Sequence, residues 1–427
     1  MARLERVYYL SVFLFWLAVA ITLPLMVLIL QSRGVDLFQI GLLMGIYSAA
    51  IVLLEVPTGG LADAVGRKRV AMLAYSIILI SGIVLLFSFS FPAFILAFVL
   101  SGVGRALASG ALDAWFIDAL LERDPEVDIQ PPLAKAGTLT LIALGVGTLL
   151  GGLLPRLLSF LPAEGTAVLT PFSSTILVSG VVLVLLLFEI ALFVQDPRSS
   201  SAKSGWSDGF RQVPKIVREA ASTSKRNPTI VLLLGATLAS GLALASIESF
   251  WAPRFAFLTG GSEENSLFFG ALMTGAFLFG AVGNLVSIPL SKFLKQRYAL
   301  IAALFQGVQG AALVILALQD TVALSAAIFW LVYLSIGVVN SPMSTLMNDE
   351  IPSERRSSML SVQSLSGYVG SIAGSVLLGY IANSRSISSA WIAAGFVLLV
   401  SLTLFLRVDV QRRRKQEINH EAEAAIL

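Results

Sequence analysis

Twelve apolar stretches, each long enough to cross a bilayer, follow one another along this chain and leave it few folds to choose from. An apolar segment of about 20 residues spans the hydrocarbon core as a helix, and only helices or closed barrels satisfy all their backbone groups there. The stretches lie near residues 8–31, 37–59, 69–90, 92–121, 133–155, 173–194, 229–256, 265–289, 298–319, 323–346, 357–382 and 387–407. Apolar residues make up 56% of the 427 and charged residues 13%, against about 45–50% and 25% in soluble domains. The expectation is an all-α membrane protein with twelve transmembrane helices. Ala18-Val19-Ala20 has the look of a cleavage site, but the apolar run continues past it, so no signal peptide is expected.

The basic residues set an orientation. With the N-terminus inside, 24 of the 29 Lys and Arg fall in cytoplasmic segments, and four (Arg33, Arg156, Arg254 and Arg385) fall outside. That asymmetry favours both termini in the cytoplasm. The longest interruption, 196–228, carries Trp206, Phe210, Val213, Val217 and Ala220 at helical spacing, with Arg211, Lys215 and Arg218 between them. It reads as a basic amphipathic helix on the inner leaflet, or equally as a solvated linker. Either way it separates a first six-helix bundle, 1–195, from a second, 229–407. Residues 408–427 form a basic tail whose Arg412-Arg413-Arg414-Lys415 cluster suits anionic lipid. Gly147 and Gly151 in span 5 match Gly370 and Gly374 in span 11. Small residues four apart let helices pack closely, so the two halves read as a weak internal repeat.

The stretch between spans 2 and 3 is too elaborate for a plain connection. It reads Gly59-Gly-Leu61-Ala-Asp63-Ala-Val-Gly66-Arg67-Lys68-Arg69. Glycines allow close backbone approach or a positive φ, and one acid stands one or two turns from three bases. This pattern resembles the signature loop of the major facilitator superfamily of secondary transporters, and Gly145, Gly147, Gly151, Gly152 and Pro155 in span 5 partly echo the glycine-proline run of its drug/proton-antiporter-like branch. The resemblance implies two pseudo-symmetric six-helix bundles and rocker-switch alternating access around a site near the midplane. It also implies a conformational gate made of Gly59, Leu61, Asp63, Gly66, Arg67, Lys68 and Asp118. In that gate Asp63 would face the helix start near Ser353–Arg356, and the loop arginine would pair with Asp118. The counterpart in the second half, Pro289–Arg297, keeps the positive charges but not the aspartate.

Charges within the hydrocarbon are functional hypotheses by default. Arg105 lies mid-way along span 4; on a continuous helix, at 100° per residue, Ser109 and Asp113 share its face. With Glu55 near the inner end of span 2, Arg105 and Asp113 form the expected proton-coupling set. Desolvation raises a carboxyl pKa and a nearby arginine lowers it, so alternating exposure could load and release a proton. Spans 1, 4, 7 and 10 line the cavity by resemblance, which makes Trp16, Ser109, Glu248, Trp251, Tyr333 and Asn340 the candidate substrate contacts. Pro253 is expected to loosen span 7, and Asn340-Ser341-Pro342 to interrupt span 10.

Other chemistries are poorly served. The chain has no cysteine and one histidine, His420, in the tail, which leaves out disulfides and most zinc chemistry. It has no GxxxxGK[ST] loop for ATP and no repeated filter sequence for a channel. Expected are no enzymatic activity, no cofactor or metal and no nucleic-acid partner. A monomer is expected, working in the plasma membrane, as in the bacterial cytoplasmic membrane, on a small-molecule solute and protons. Proton-coupled efflux of a hydrophobic or amphiphilic solute is the first reading. Proton-symport uptake, or a non-transporting receptor or scaffold on the same fold, remain open alternatives.

Overall fold

The computed structural model describes residues 2–162, 167–195, 227–261, 265–351 and 356–424; the side chains of 2, 56–64, 356–358, 360 and 415–424 are outside the description. Among the described residues the secondary structure is helical throughout, and twelve helical segments are long and apolar enough to cross a membrane. The linker segment 196–226, with its proposed amphipathic helix, lies outside the described residues.

Two of the twelve spans are broken. Span 1 is α1 (Ala2–Thr22) and α2 (Met26–Ser32), parted at Leu23–Leu25, where Pro24 cannot supply an N–H to the helix. Span 4 is α5 (Phe91–Ala108) and α6 (Ala111–Leu121). The others of the first half are α3 (Leu37–Val65), α4 (Arg67–Leu86), α7 (Gln130–Leu157) and α8 (Ser174–Phe193). The second half follows with α9 (Pro228–Thr259), α10 (Ser266–Phe293), α11 (Tyr298–Ala317), α12 (Val322–Glu350), α13 (Arg356–Ser384) and α14 (Ile387–Ala424).

Several expected boundaries move. Span 2 was expected to end at 59, but α3 runs to Val65, and Gly66 alone separates it from α4, at φ 102°. Pro253 and Pro342 leave α9 and α12 unbroken. The basic tail continues α14, whose Arg412 turns back onto the end of α12, bonding Asp349 at 3.1 Å, Glu350 at 3.1 Å and the Leu346 carbonyl at 3.2 Å. Asp409, one turn earlier, pairs with Arg297, and that bond pushes the Arg297 guanidinium pKa up. Arg412 therefore serves the protein's own packing, and Arg413 and Arg414 stay exposed.

The chain forms two compact units, Met1–Pro214 with Ser249–Phe277, and Lys215–Glu248 with Leu278–Leu427. In the first, α1 packs on α7 and α8, and α4 packs on α5 and α8. Its core gathers Tyr8, Phe15, Tyr75, Trp115, Phe116, Leu186 and Ile190. In the second, α11 packs between α12 and α14, over Ile230, Leu233, Met343, Leu346 and Phe405. The outer faces are apolar too. On α8, Val182, Leu186 and Ile190 point inward while Val181, Leu185, Phe188 and Leu192 are exposed, the two-sided apolarity of a helix with lipid on its far face.

The internal repeat has a structural counterpart. A Cβ added at Gly147 or Gly151 would meet the α1 backbone at the Leu17 and Ile21 carbonyls, at 2.9 and 2.1 Å. Added at Gly370 or Gly374, it would meet the α9 backbone at the Leu238 and Leu242 carbonyls, at 2.0 and 2.3 Å. Span 5 thus docks on span 1 as span 11 docks on span 7. A backbone cannot swing aside as a side chain can, so Gly151→Ala is expected to destabilise by about 1–3 kcal/mol. Gly137→Ala on the same helix, where a Cβ meets nothing within 4 Å, should be neutral or mildly stabilising. Thermal unfolding of the two variants in detergent checks the contrast.

Candidate functional site

The break in span 4 organises the polar groups of the first unit. Ser109 is extended (φ −61°, ψ 113°) and Gly110 is left-handed at φ 74°. A Cβ at Gly110 would meet nothing within 4 Å, so the residue is required by the backbone turn and not by packing. Arg105 falls in the last turn of α5 and Asp113 in the first turn of α6. Each charge therefore complements the dipole of its own half-helix, worth about 0.3–1 kcal/mol. The helical wheel that placed Arg105, Ser109 and Asp113 on one face does not carry across this turn.

The two charges have different surroundings. The Arg105 guanidinium lies over the Trp16 ring at 5.6 Å. Trp16 meets Phe15 edge-on at 5.3 Å, and Phe15 lies 5.1 Å from Tyr75. Among the described residues Arg105 forms no ion pair, so neither Asp113 nor Glu55 neutralises it. Asp113 is exposed and accepts a 2.7 Å hydrogen bond from the Tyr8 hydroxyl. Tyr8 is itself fixed by stacking on Phe116 at 3.9 Å. Ser109 is exposed at the turn, and Glu55 is half-buried on α3.

At the signature segment, Arg67 pairs with Asp118 at 2.9 Å, both partly exposed. Arg67 opens α4 and Asp118 stands in the last turn of α6, so each sits at the end of its helix that repels its charge. Pairing them relieves both. The neighbouring Lys68 donates to the Ala191 carbonyl at 2.8 Å, tying this corner to α8. Gly59, Leu61 and Asp63 fall on the last turns of α3, but the side chains of 56–64 and the expected partner segment 352–355 lie outside the described residues.

At the opposite end of α7, a contact unforeseen from sequence closes on α10. Thr148 and Thr274 share a hydrogen bond of 2.7 Å between their hydroxyls, and Thr274 also donates to the Gly145 carbonyl at 3.1 Å. One turn on, Gly152 faces Gly270 so closely that a Cβ on Gly152 would lie 2.9 Å from the Gly270 Cα. Small-residue crossings of this kind hold helices in membranes without an apolar driving force.

In the second unit, Glu248 is exposed on α9, within electrostatic range of the buried Tyr333 of α12. Asn340 is exposed on α12. Trp251, on the first-unit part of α9, is buried 5.9 Å from Phe269.

Twelve candidate spanning helices, two of them broken, define a multi-pass membrane protein. The family model for the Major Facilitator Superfamily matches residues 8–375 and 334–427, and the chain belongs to that superfamily. It is 22% identical over 395 residues, 91% of this chain and 92% of the relative, to the uncharacterised MFS-type transporter YxaM of Bacillus subtilis. Among the solved structures that share its fold are two transporters. A mutant of the nucleoside transporter NupG superposes with a TM-score of 0.76 at 13% identity, covering 95% of this chain and 99% of that one. A POT family transporter in complex with a thioalcohol-conjugated peptide gives 0.70 at 13% identity, covering 95% and 96%.

Proposed function

We propose that the protein exports a hydrophobic or amphiphilic small molecule across the plasma membrane in exchange for protons. It would do so by rocker-switch alternating access, as a monomer with both termini in the cytoplasm. The observation that carries this reading is the broken span 4, with an arginine that forms no ion pair among the described residues on one side of the turn and an exposed carboxylate on the other. Arg105 on Trp16 offers a cation beside an aromatic face, suited to an amphiphilic solute. Asp113, with Glu55 nearer the inner end of span 2, supplies the titratable group. Arg67 and Asp118 form one arm of the gate and Asp63 the other, closing and releasing once per cycle. Glu248, Trp251, Tyr333, Asn340 and Ser109 complete the solute contacts.

A proton entering down about 100 mV releases about 2.3 kcal/mol, enough for a roughly 50-fold solute gradient. Inside-out membrane vesicles test the direction and the coupling together. With the lumen acidified, members of a panel of aromatic amphiphiles (acids, bases and neutral compounds) are added outside while the pH gradient is followed by a fluorescent dye. An exporter collapses the gradient when its solute arrives. Collapse only when the compound is preloaded in the lumen would show uptake by symport, and binding without any flux would show a receptor.

A further inference from the structure

A carboxyl group that the proposed cycle does not use is buried between α1 and α8. Glu189, on the inward face of α8, is 6% exposed, and Ser11 of α1 is 0% exposed. The Ser11 hydroxyl oxygen lies 2.7 Å from Glu189 Oε2 and 2.9 Å from the Val7 carbonyl. A serine hydroxyl has one hydrogen, and two oxygens face it. If that hydrogen goes to Val7, its helical i−4 acceptor, the short contact with Glu189 needs a hydrogen from the carboxyl group itself. The other carboxyl oxygen, Oε1, is buried with no hydrogen-bond partner. An ionised carboxylate left half-bonded among packed helices is far costlier than a neutral acid in the same place.

The neighbours do not supply a counter-charge. Among the described residues Glu189 forms no ion pair. From α4, Tyr75 is within electrostatic range of Glu189, and of Asp113 and Arg105 as well. Lys68 reaches α8 too, where its ammonium donates a hydrogen bond to the Ala191 carbonyl and not to Glu189. On α1, Tyr8 is committed to Asp113, while Arg3 and Arg6 are exposed. The charges of α7, Lys135 and Arg156, lie near its two ends and are exposed.

We propose that Glu189 and Ser11 form a proton-binding site, occupied at neutral pH, separate from Asp113. α1 then donates to one carboxyl group through Tyr8 and accepts from another through Ser11, three residues on. Two carboxyl groups bonded from one helix hold α1 against α6 and α8 at once. The site stands whether or not transport is proton-driven, because it concerns occupancy and not flux.

Infrared difference spectroscopy of the protein in liposomes, recorded between neutral and alkaline pH, reads it directly. The wild type should show a protonated-carboxyl C=O stretch at neutral pH that Glu189→Gln abolishes and Asp113→Asn retains. Ser11→Ala removes the acceptor, so the band should move to higher frequency, which serves even if Glu189→Gln folds poorly. Thermal unfolding adds the linkage: a proton held by the folded state and not by the unfolded one stabilises below the site's titration and is lost as pH rises through it. The wild-type midpoint should fall on that rise relative to Glu189→Gln. Absence of a Glu189-dependent band at neutral pH, or a band indifferent to Ser11→Ala, would overturn the proposal.

Discussion

The Thr148→Cys/Thr274→Cys double variant is expected to lose transport on oxidation and to recover it on reduction. The two hydroxyls already lie 2.7 Å apart, a separation that brings the β-carbons into disulfide range. Cysteine for threonine keeps the side chain small, so the crossing of α7 and α10 should survive the change. The chain has no cysteine of its own, hence every cross-link belongs to the introduced pair. If the two six-helix halves rock as proposed, α7 of the first and α10 of the second part in each cycle, and a covalent bond prevents it. Flux of whichever solute the vesicle screen identifies should drop to background and return with a thiol reductant. Each single variant should transport in both conditions. Full flux through the cross-linked protein would mean that transport does not require α7 and α10 to separate.

The second large effect is expected at Asp113. Asparagine has nearly the same shape and still accepts from Tyr8, so Asp113→Asn keeps the bond that positions α1 against α6 and removes only the charge. Coupling one proton to each solute at about 100 mV accounts for a roughly 50-fold gradient. Asp113→Asn should bring the steady-state ratio to about one while downhill exchange continues. Arg105→Gln should instead weaken solute binding, because the guanidinium has Trp16 beneath it and forms no ion pair among the described residues. Measuring accumulation and counterflow in the same vesicles separates the two roles. Undiminished accumulation in Asp113→Asn would move the coupling step to another carboxyl group, with Glu55 next in line.

Most of the architecture could be read from the sequence because membrane spans are declared by length and apolarity, and the lipid leaves no competing fold. The glycine pairs of spans 5 and 11 were legible for a similar reason: a backbone crossing excludes a side chain, and the exclusion shows in the residues. Helix ends were less legible. The polar sequence after residue 59 looked like a loop, yet α3 continues to Val65, since only Gly66 at φ 102° actually breaks the helical path. The turn at Ser109–Gly110 escaped notice because its signal is one glycine in a span that contains several, most of them there for packing.

The candidate site was legible in its charges and not in their partners. Arg105, Asp113, Arg67 and Asp118 stood out as charged residues in an apolar context. Tyr8, Ser11, Thr148 and Thr274 did not, because hydroxyl groups are common in spanning helices and their meaning lies in what they touch across the bundle. Glu189 was legible on the same terms as Arg105. An acidic residue within Leu187-Phe188-Glu189-Ile190 meets the same rule that selected Arg105.

Distances between spin labels test the central claim, alternating access, most directly. Labels on cysteines replacing the exposed Arg156 and Phe257 report on the ends of α7 and α9, near the Thr148–Thr274 contact. Pulsed double-resonance measurements in liposomes should yield two distance populations whose ratio changes with pH, the shorter one matching the closed contact. A single distance, unchanged by pH and by solute, would contradict it.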